Sequence, residues 1–371
     1  MRILLVQRSL RPPGGGNAVA AWMVHALAGH HDIATLTAAA WNTSETNAFY
    51  GTSIPEAGIT RLVSPIPWRW LSAVPEDRWT RLRMCAVLRE AATLASQYDL
   101  MISADNFAPF PKRGIQYLHF PLRLQPEPAR TRAIVTPYFA LCNRVLRSSW
   151  GDAANNLTLA NSQWTADGLA RLGEVPSPIV IYPPVLDPGA GLPWAERDDT
   201  FLCVGRFHGS KRIEAAISII KKARALSMPH TKLTIVGSPV DAEYTSRIRT
   251  MAAQDHWIEF REDLSRQELN RLMGRSRYGI QAMEGEHFGM AAAEMTRAGC
   301  LVFAHNSGGS PEVLNREASL LWSTEEEAVQ KVIALGETGV EPLRNRLLAH
   351  ARAFSSEAFV DRFRSIVTDA T

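Results

Sequence analysis

The sequence predicts an α/β protein made of two doubly wound domains, each a parallel sheet covered by helices on both faces. Short apolar runs alternate with amphipathic helical patterns along the chain, which is typical of parallel sheets. The length of 371 residues suits roughly two domains of ordinary size. Residues 183–191 are dense in proline and glycine and predict a linker at mid-chain.

The first half opens with the apolar run Arg2–Val6, a glycine-containing loop and a helical pattern from Asn17 to about Ala28. Asn17 has a side chain that is preferred at a helix N-cap. Further apolar runs predict strands, and helical patterns separate several of them. The strands are Ile33–Thr37, Leu100–Ser103, Ile115–Leu118, Leu157–Ala160 and Ile179–Tyr182, and the helical patterns cover about 76–97, 131–149 and 163–172.

The second half repeats this alternation. A strand at Thr200–Val204 precedes an amphipathic helix at Lys211–Leu226, whose isoleucine and alanine side chains fall mostly on one face. The remaining strands are predicted at Lys232–Val236, Trp257–Phe260, Tyr278–Met283, Cys300–Ala304 and Ser319–Leu321. Ligands of doubly wound sheets bind at the carboxyl ends of the strands, so functional residues are expected there.

Composition excludes several classes of protein. A hydrophobic fraction of 46% with 21% charged residues does not fit a disordered or fibrous chain, and a net charge of +3 does not fit a histone-like nucleic-acid binder. The four cysteines are far apart, so neither a disulfide scaffold nor a structural zinc site is expected. No apolar run approaches the ~20 residues of a membrane span, and polar residues follow the first strand too closely for a signal peptide. A reducing, cytoplasmic location is expected.

The segment 283–294 carries the richest group of candidate functional residues. Glu286 and Glu294 lie eight residues apart, about two helical turns, where a predicted strand gives way to a predicted helix. The helix N-terminus near residues 288–290 offers free backbone N–H groups, which suit a phosphate. Because the helix is otherwise apolar, Glu294 is expected to be buried and to need a partner. The alternative is two solvated carboxylates on a surface helix.

A second group of candidate residues lies where the strand Thr200–Val204 ends. Arg206 and Lys211 straddle the turn into the next helix, and two cations so placed can hold a diphosphate. A cation in the first turn of a helix is unfavourable with the helix dipole, which favours an anionic ligand over two solvated cations. The glycine-containing turn Asn306–Glu312 allows close approach of a ligand, although such a turn alone is common.

The glycine run Gly14–Gly16 after the first strand invites a dinucleotide-binding interpretation. That interpretation fails, because the GxGxxG pattern requires glycine where Val19 stands, and no acidic residue follows the second strand. A glycine loop ahead of a helix still suits an anion or a substrate hydroxyl.

Taken in order, these residues resemble the retaining GT4 glycosyltransferases of the GT-B fold. The matching motifs are Arg206 with Lys211, Glu286 with Glu294, and Gly308-Gly309 with Glu312. Other segments that look like this family are the glycine loop and residues 160–165, 181–185 and 354–359. Within the family, residues 286–289, 304–309 and 117–121 are most similar to the α-1,2-mannosyltransferases of lipid-linked oligosaccharide synthesis.

The resemblance implies two Rossmann-like domains that face each other across a cleft. Residues 1–185 would bind the acceptor, residues 186–353 would bind the nucleotide sugar, and residues 354–371 would return as a helix to the first domain. Such enzymes need no catalytic metal, and the sequence has no DxD triplet. Neither a metal nor another cofactor is therefore expected, and the nucleotide sugar is a co-substrate.

The resemblance also assigns roles to single residues. Arg206 and Lys211 would stabilise the departing diphosphate, and Glu286 would hold the donor sugar. His119 would lie near the anomeric centre, although a packed histidine at a strand end is the alternative. The remaining donor contacts would come from Gly15, Gly16, Phe288, Gly289, Met290 and Glu294.

Charge is distributed unevenly. Residues 1–185 hold 17 Lys and Arg against 12 Asp and Glu, whereas residues 186–371 hold 23 against 25. Most of the ten tryptophans also lie in the first part, and the basic stretches 61–89 and 111–150 contain several of them. Basic residues beside tryptophan suit an anionic membrane surface, or a phosphorylated or lipid-linked acceptor. A solvated face over core tryptophans is the alternative for Arg78, Arg81 and Arg83, and nucleic acid is not expected as a partner.

The expected reaction is retaining transfer of a hexose from a nucleotide sugar to an acceptor hydroxyl, with GDP-mannose as the favoured donor. A UDP-sugar donor carrying glucose or N-acetylglucosamine is an alternative. A nucleotide-sugar epimerase-like protein and a degenerate GT-B protein are further alternatives.

Overall fold

A computed structural model shows the protein as two compact units. Unit 1 comprises Met1–Pro184 together with Ser356–Thr371, and unit 2 comprises Val185–Ser355. The structure describes residues 1–64, 79–121, 132–173, 175, 177–189, 191–335 and 340–370.

Unit 1 contains a parallel sheet of seven strands. The strands are β1 (Arg2–Val6), β2 (Asp32–Thr37), β3 (Ile59–Val63), β4 (Leu100–Ser103), β5 (Ile115–Leu118), β6 (Leu157–Ala160) and β7 (Ile179–Val180). Their order in the sheet is β3-β2-β1-β4-β5-β6-β7. The central strands are buried on both faces, as the near-continuous apolar runs predict.

The helices of unit 1 pack around this sheet. They are α1 (Gly15–Leu27), α2 (Thr43–Tyr50), α3 (Thr80–Leu94), α4 (Arg132–Leu146), α5 (Gln163–Leu172) and, after unit 2, α13 (Ser356–Asp369). Single 3-10 turns occupy Ala95–Gln97 and Trp150–Asn155. The predicted pattern at 76–97 falls partly outside the described residues, and the helix that is described begins at Thr80.

Asn17 is not the N-cap of α1, contrary to the sequence prediction. The helix begins at Gly15 with Gly14 at the cap, and Asn17 is its third residue. Its amide Nδ2 donates to the carbonyl of Arg11 at 2.7 Å, and its Oδ1 accepts from Nε2 of Gln7 at 3.1 Å. The side chain therefore holds the glycine loop to the end of β1.

Unit 2 contains a parallel sheet of six strands in the order β10-β9-β8-β11-β12-β13. The strands are β8 (Asp198–Val204), β9 (Lys232–Gly237), β10 (Ile258–Glu262), β11 (Ser276–Gln281), β12 (Leu301–His305) and β13 (Leu321–Trp322). The helices are α6 (Ile213–Leu226), α7 (Ala242–Ala252), α8 (Arg266–Arg275), α9 (Met290–Arg297), α10 (Ser310–Val313), α11 (Glu325–Ala334) and α12 (Val340–Ala351). Further 3-10 turns occupy Trp194–Glu196, Gly209–Lys211 and Arg352–Phe354.

The helix predicted to begin at Lys211 begins two residues later, at Ile213. Residues Gly209–Lys211 form a 3-10 turn instead, and the His208 side chain accepts a hydrogen bond from the backbone N–H of Ser210 at 3.2 Å. Lys211 is therefore placed by a short turn ahead of α6, at the carboxyl end of β8.

Candidate functional site

The candidate site of unit 2 is built from three loops that follow neighbouring strands. Loop A, residues 205–212, follows β8; loop B, residues 282–289, follows β11; and loop C, residues 306–309, follows β12. Because these strands are parallel and adjacent, their carboxyl ends bring the loops to one edge of the sheet.

Lys211 and Glu286 form an ion pair between loops A and B. Nζ of Lys211 lies 2.5 Å from Oε2 of Glu286, and the two side chains are only 19% and 12% exposed. The same carboxylate oxygen accepts a hydrogen bond from Nε2 of Gln281 at 3.1 Å. The structure thus brings together two of the residues that the sequence selected 75 positions apart.

Loops B and C interlock through their backbones. The N–H of Gly309 donates to the carbonyl of Glu286 at 2.6 Å. A Cβ on Gly308, whose φ is +72°, would lie 2.1 Å from that same carbonyl oxygen. Side chains are excluded here, because no Cβ tolerates backbone at such a distance. The glycines that the sequence singled out are therefore required to place Glu286.

The start of α9 completes this edge of the site. Gly289 caps the helix at φ +102°, and the preceding Phe288 is buried against the ring of Phe354, with centroids 5.4 Å apart. The hydroxyl of Ser310 lies close to Gly289 and is fully buried, and it has no hydrogen-bond partner among the described residues. A buried hydroxyl without a partner is costly, which is consistent with a site that a polar ligand completes.

The Glu294 side chain is mostly buried in α9, and it has the partner that was expected for it. Its Oε1 lies 2.8 Å from Nη1 of Arg266, and the two side chains are 12% and 25% exposed. Sequence reasoning missed Arg266. The sequence feature that could have identified Arg266 is the one that selected Lys211. That feature is a cation in the first turn of a helix, where positive charge is unfavourable with the helix dipole.

Arg206 lies apart from this ion pair. It lies two residues after the end of β8, its side chain is exposed, and it forms no salt bridge with any residue in the described ranges. The structure therefore places the two predicted diphosphate contacts in one loop but in different environments. Lys211 is held against a carboxylate, and Arg206 faces solvent.

A second ion pair joins loops A and B. Nη1 of Arg212 is hydrogen-bonded to Oε1 of Glu284, and Nε2 of His305 lies 3.8 Å from the same carboxylate oxygen. Nδ1 of His305 lies 2.7 Å from Oγ of Ser307, which in turn accepts from the N–H of Gly285 at 2.8 Å. Sequence reasoning assigned no role to Arg212 or His305.

In unit 1, His119 follows β5 and is fixed by backbone contacts. Its Nε2 donates to the carbonyl of Ala104 at 2.8 Å, and its own N–H donates to Oδ1 of Asn106 at 2.9 Å. Asn161 anchors the carbonyl of His119 from the next strand, with Nδ2 donating at 2.7 Å. Burial lowers the pKa of His119, with the Ala104 contact and Asp105 opposing, so the ring is neutral and carries its proton on Nε2 at neutral pH.

The predicted glycine loop and His119 meet at the same end of the unit 1 sheet. A Cβ on Gly16 would lie 3.3 Å from Nε2 of His119. Gly15 opens α1 immediately before it. The structure therefore brings together the predicted residues Gly15, Gly16 and His119, which the sequence separates by about a hundred positions.

Among the described residues of the first half, the arginines do not form a single exposed face. Arg83 is only 3% exposed within α3, so the expectation that it belongs to a binding surface is wrong. The guanidinium of Arg81 lies 4.8 and 5.0 Å from the ring centroids of Phe139 and Trp150. Arg78 lies outside the described residues. Exposed cations do occur on α4 and just after it, at Arg144 and Arg147.

Comparison with known proteins identifies the domain to which the three loops belong. Residues 190–354 match the family model described as glycosyl transferases group 1. Unit 2 is a group 1 glycosyltransferase domain. It contains Arg206, Lys211, Glu286 and Glu294, whose order and spacing predict the same family from the sequence.

Two relatives are both named GDP-Man:Man(3)GlcNAc(2)-PP-Dol alpha-1,2-mannosyltransferase. The Homo sapiens protein is 25% identical over 239 residues, 58% of this chain and 49% of that protein. The Dictyostelium discoideum protein is 25% identical over 235 residues, 56% of this chain and 46% of that protein. The chain thus spans about half the length of these curated relatives.

Solved structures confirm the predicted GT-B fold. Anabaena HepE in complex with UDP and glucose superposes with a TM-score of 0.70 over 100% of both chains, at 15% identity. A glycosyltransferase from Rickettsia africae gives a TM-score of 0.70 over 99% of this chain and 98% of that one, at 16% identity. Among the helices that are described, none has the length and apolar character needed to cross a bilayer.

Replacing Gly308 with alanine is expected to displace loop B. The new Cβ would meet the carbonyl of Glu286, and we expect a loss of stability of at least ~2 kcal/mol, measured by urea unfolding. Gly285→Ala is the matched control, because Gly285 also has a positive φ, +63°, but a Cβ added there would have no heavy atom within 4 Å. Equal losses for both variants would contradict the interlocking of loops B and C.

His119 is expected to make unit 1 less stable in acid. Its pKa lies below the ordinary value of 6.5 because burial disfavours the charged form, so the unfolded chain takes up a proton first as the pH falls. The stabilisation is therefore complete above about pH 6.5 and is lost below it. We expect the stability difference between the wild type and His119→Gln to shrink by ~1 kcal/mol between pH 7.5 and 5.5 in urea unfolding. A difference that does not change with pH would contradict the neutral, buried ring.

Proposed function

We propose that this protein transfers a hexose from a nucleotide sugar to an acceptor hydroxyl, with retention of configuration at the anomeric carbon. The observation that supports it best is the meeting of Lys211, Glu286 and the start of α9 at one sheet edge, within the group 1 glycosyltransferase domain. This arrangement offers a cation for phosphate, a carboxylate for sugar hydroxyls and the backbone N–H groups of a helix start.

Each group of the proposed site matches one part of a nucleotide sugar. Lys211 and Arg206 stabilise the negative charge that develops on the leaving diphosphate. Glu286 accepts hydrogen bonds from sugar hydroxyls, and Glu294 binds the ribose diol. The backbone N–H groups at residues 288–290 provide further donors to phosphate or sugar oxygens. So does the hydroxyl of Ser310, which has no hydrogen-bond partner among the described residues.

In unit 1, we propose that His119, Gly15 and Gly16 serve the transfer step. The glycines let a phosphate or acceptor hydroxyl approach the backbone. His119, neutral with its proton on Nε2, keeps Nδ1 free of a proton, so that Nδ1 can accept a hydrogen bond from a sugar hydroxyl.

The donor that we propose is GDP-mannose. Its support is that the relatives are named as α-1,2-mannosyltransferases that use GDP-mannose. A UDP-sugar is the second candidate, because a structure of the same fold holds UDP and glucose.

We further propose that the reaction needs no metal ion, since Lys211 and Arg206 supply the positive charge. Full activity in EDTA is the expected result, and activity restored only by Mg²⁺ or Mn²⁺ would contradict it.

We propose a lipid-linked or phosphorylated acceptor, reached from the cytoplasmic face of a membrane. The names of the relatives specify a dolichyl-diphosphate oligosaccharide as acceptor. In unit 1, Arg144 and Arg147 are exposed on α4 and just after it, and Leu141 of the same helix is 36% exposed. Trp79 is 43% exposed, and its ring contacts that of Tyr138 on α4, with centroids 5.3 Å apart. Arginine with tryptophan and leucine is the composition of a surface that binds anionic headgroups.

Loss of the Lys211 cation is expected to impair transfer strongly. Lys211→Ala should lower kcat/KM for the nucleotide sugar by about 10²–10³-fold, as for removal of a group that stabilises the leaving charge. It should also weaken the binding of GDP and UDP, measured by calorimetry. Lys221→Ala is the matched control, because Lys221 is 58% exposed on α6 and pairs with Asp255. If the wild type binds neither GDP nor UDP, the proposed function is overturned.

The membrane proposal predicts a dependence on Arg144 and Arg147. Replacing both with glutamine should reduce sedimentation with vesicles that contain anionic phospholipid by about fivefold per arginine at low salt. Arg247→Gln with Arg249→Gln on α7 is the matched control, since both side chains are exposed in unit 2. Equal vesicle binding by the wild type and both variants would contradict the membrane proposal, and Arg144 and Arg147 would then be ordinary solvated residues.

A further inference from the structure

Two parallel ion pairs connect the same two loops. Lys211 and Arg212 are adjacent in loop A, and their partners Glu286 and Glu284 are two residues apart in loop B. The first pair is mostly buried, whereas the side chains of Arg212 and Glu284 are 34% and 58% exposed. The first pair belongs to the proposed donor site, and the proposed function assigns no role to the second.

The backbone of Arg212 is costly for an arginine. Its φ of 49° and ψ of 45° lie in the left-handed region, where glycine is favoured and a Cβ is disfavoured. Arg212 also stands at the N-cap of α6 without giving the helix a side-chain cap. Neither the turn nor the helix therefore explains an arginine at this position, whereas its guanidinium contact with Glu284 does.

Glu284 also lies near loop C and the end of β12. The carboxylate lies 3.8 Å from Nε2 of His305, and the neighbouring N–H of Gly285 donates to Oγ of Ser307. Ser307 is in turn 2.7 Å from Nδ1 of His305. The Arg212–Glu284 pair therefore links loop A to a part of loop B that is already fixed.

We propose that Arg212 and Glu284 are positioning residues that keep loop A in place while Lys211 exchanges Glu286 for the diphosphate of the donor. This inference rests on the proposed function. A lysine ammonium is a single point charge, so turning it toward a phosphate weakens the Lys211–Glu286 pair. The Arg212–Glu284 pair remains during that exchange, and it holds Lys211 within reach of both partners. It also leaves Glu286 free for sugar hydroxyls.

The decisive variant is Arg212→Gly. It removes the guanidinium and also relieves the left-handed backbone, so the melting temperature should stay the same or rise. The affinity for GDP or UDP and the kcat/KM for the nucleotide sugar should nevertheless fall by about 10- to 100-fold, because Lys211 is no longer positioned. A purely structural role would instead lower the melting temperature together with activity.

Two further variants make the test specific. Glu284→Gln should reproduce the loss, and the double variant Arg212→Gly with Glu284→Gln should be no worse than either single one, because both changes break one contact. Arg212→Lys should restore part of the affinity, since it keeps the charge but loses the planar fork.

The outcomes are distinguishable. If the wild type binds a nucleoside diphosphate and Arg212→Gly binds it equally well, the positioning role is overturned and the proposed function stands. If the two single losses add in the double variant, the two residues do not act as a pair, and the inference fails. If the wild type binds neither GDP nor UDP, the proposed function fails and the positioning role fails with it.

Discussion

The close approach of loop C to loop B is the constraint on which the unit 2 site depends. Gly308 and Gly309 allow the backbone of one loop to lie against the carbonyls of the other, at distances that no side chain tolerates. The hydrogen bond from Gly309 to the carbonyl of Glu286 then fixes the residue whose carboxylate meets Lys211. The position of a charged side chain is thus set by backbone packing, which is stiffer than contacts between flexible side chains.

Because the ion pairs of this site are mostly buried, removing one partner of a pair costs much more free energy than it would at an exposed surface. The Lys211–Glu286 and Glu294–Arg266 pairs are both shielded from solvent, so removing one partner leaves an uncompensated charge at high cost. In the proposed reaction, a donor would replace these internal partners with its own phosphate and hydroxyl groups. The paired charges would then stabilise the site when no donor is bound.

The sequence predicted the fold closely where residue patterns are strong. Several strands have their predicted ends, among them Leu100–Ser103 and Ile115–Leu118, because apolar runs flanked by polar loops leave little choice of boundary. It missed α2 and β3, which lie at the edge of unit 1 and carry few buried side chains. The cap at Asn42 and the left-handed Gly51 mark both ends of α2 in retrospect.

The sequence predicted which residues meet in the candidate site better than it predicted their contacts. Arg266 and Arg212 come from elements that only the folded sheet brings near Glu294 and Glu284. Periodicity describes one element at a time, whereas an ion pair between distant segments depends on topology.

The membership of α13 in unit 1 has a consequence for synthesis on the ribosome. Its aromatic face, with Phe359 and Phe363 buried, packs on α1, and Arg364 donates to the carbonyl of Ala26 at 2.6 Å. A nascent chain that has reached residue 355 therefore contains all of unit 2 but an incomplete unit 1. Synthesis of unit 1 therefore begins before that of unit 2 and ends after it. The apolar surface of α1 that contacts α13 stays exposed until α13 has been synthesised.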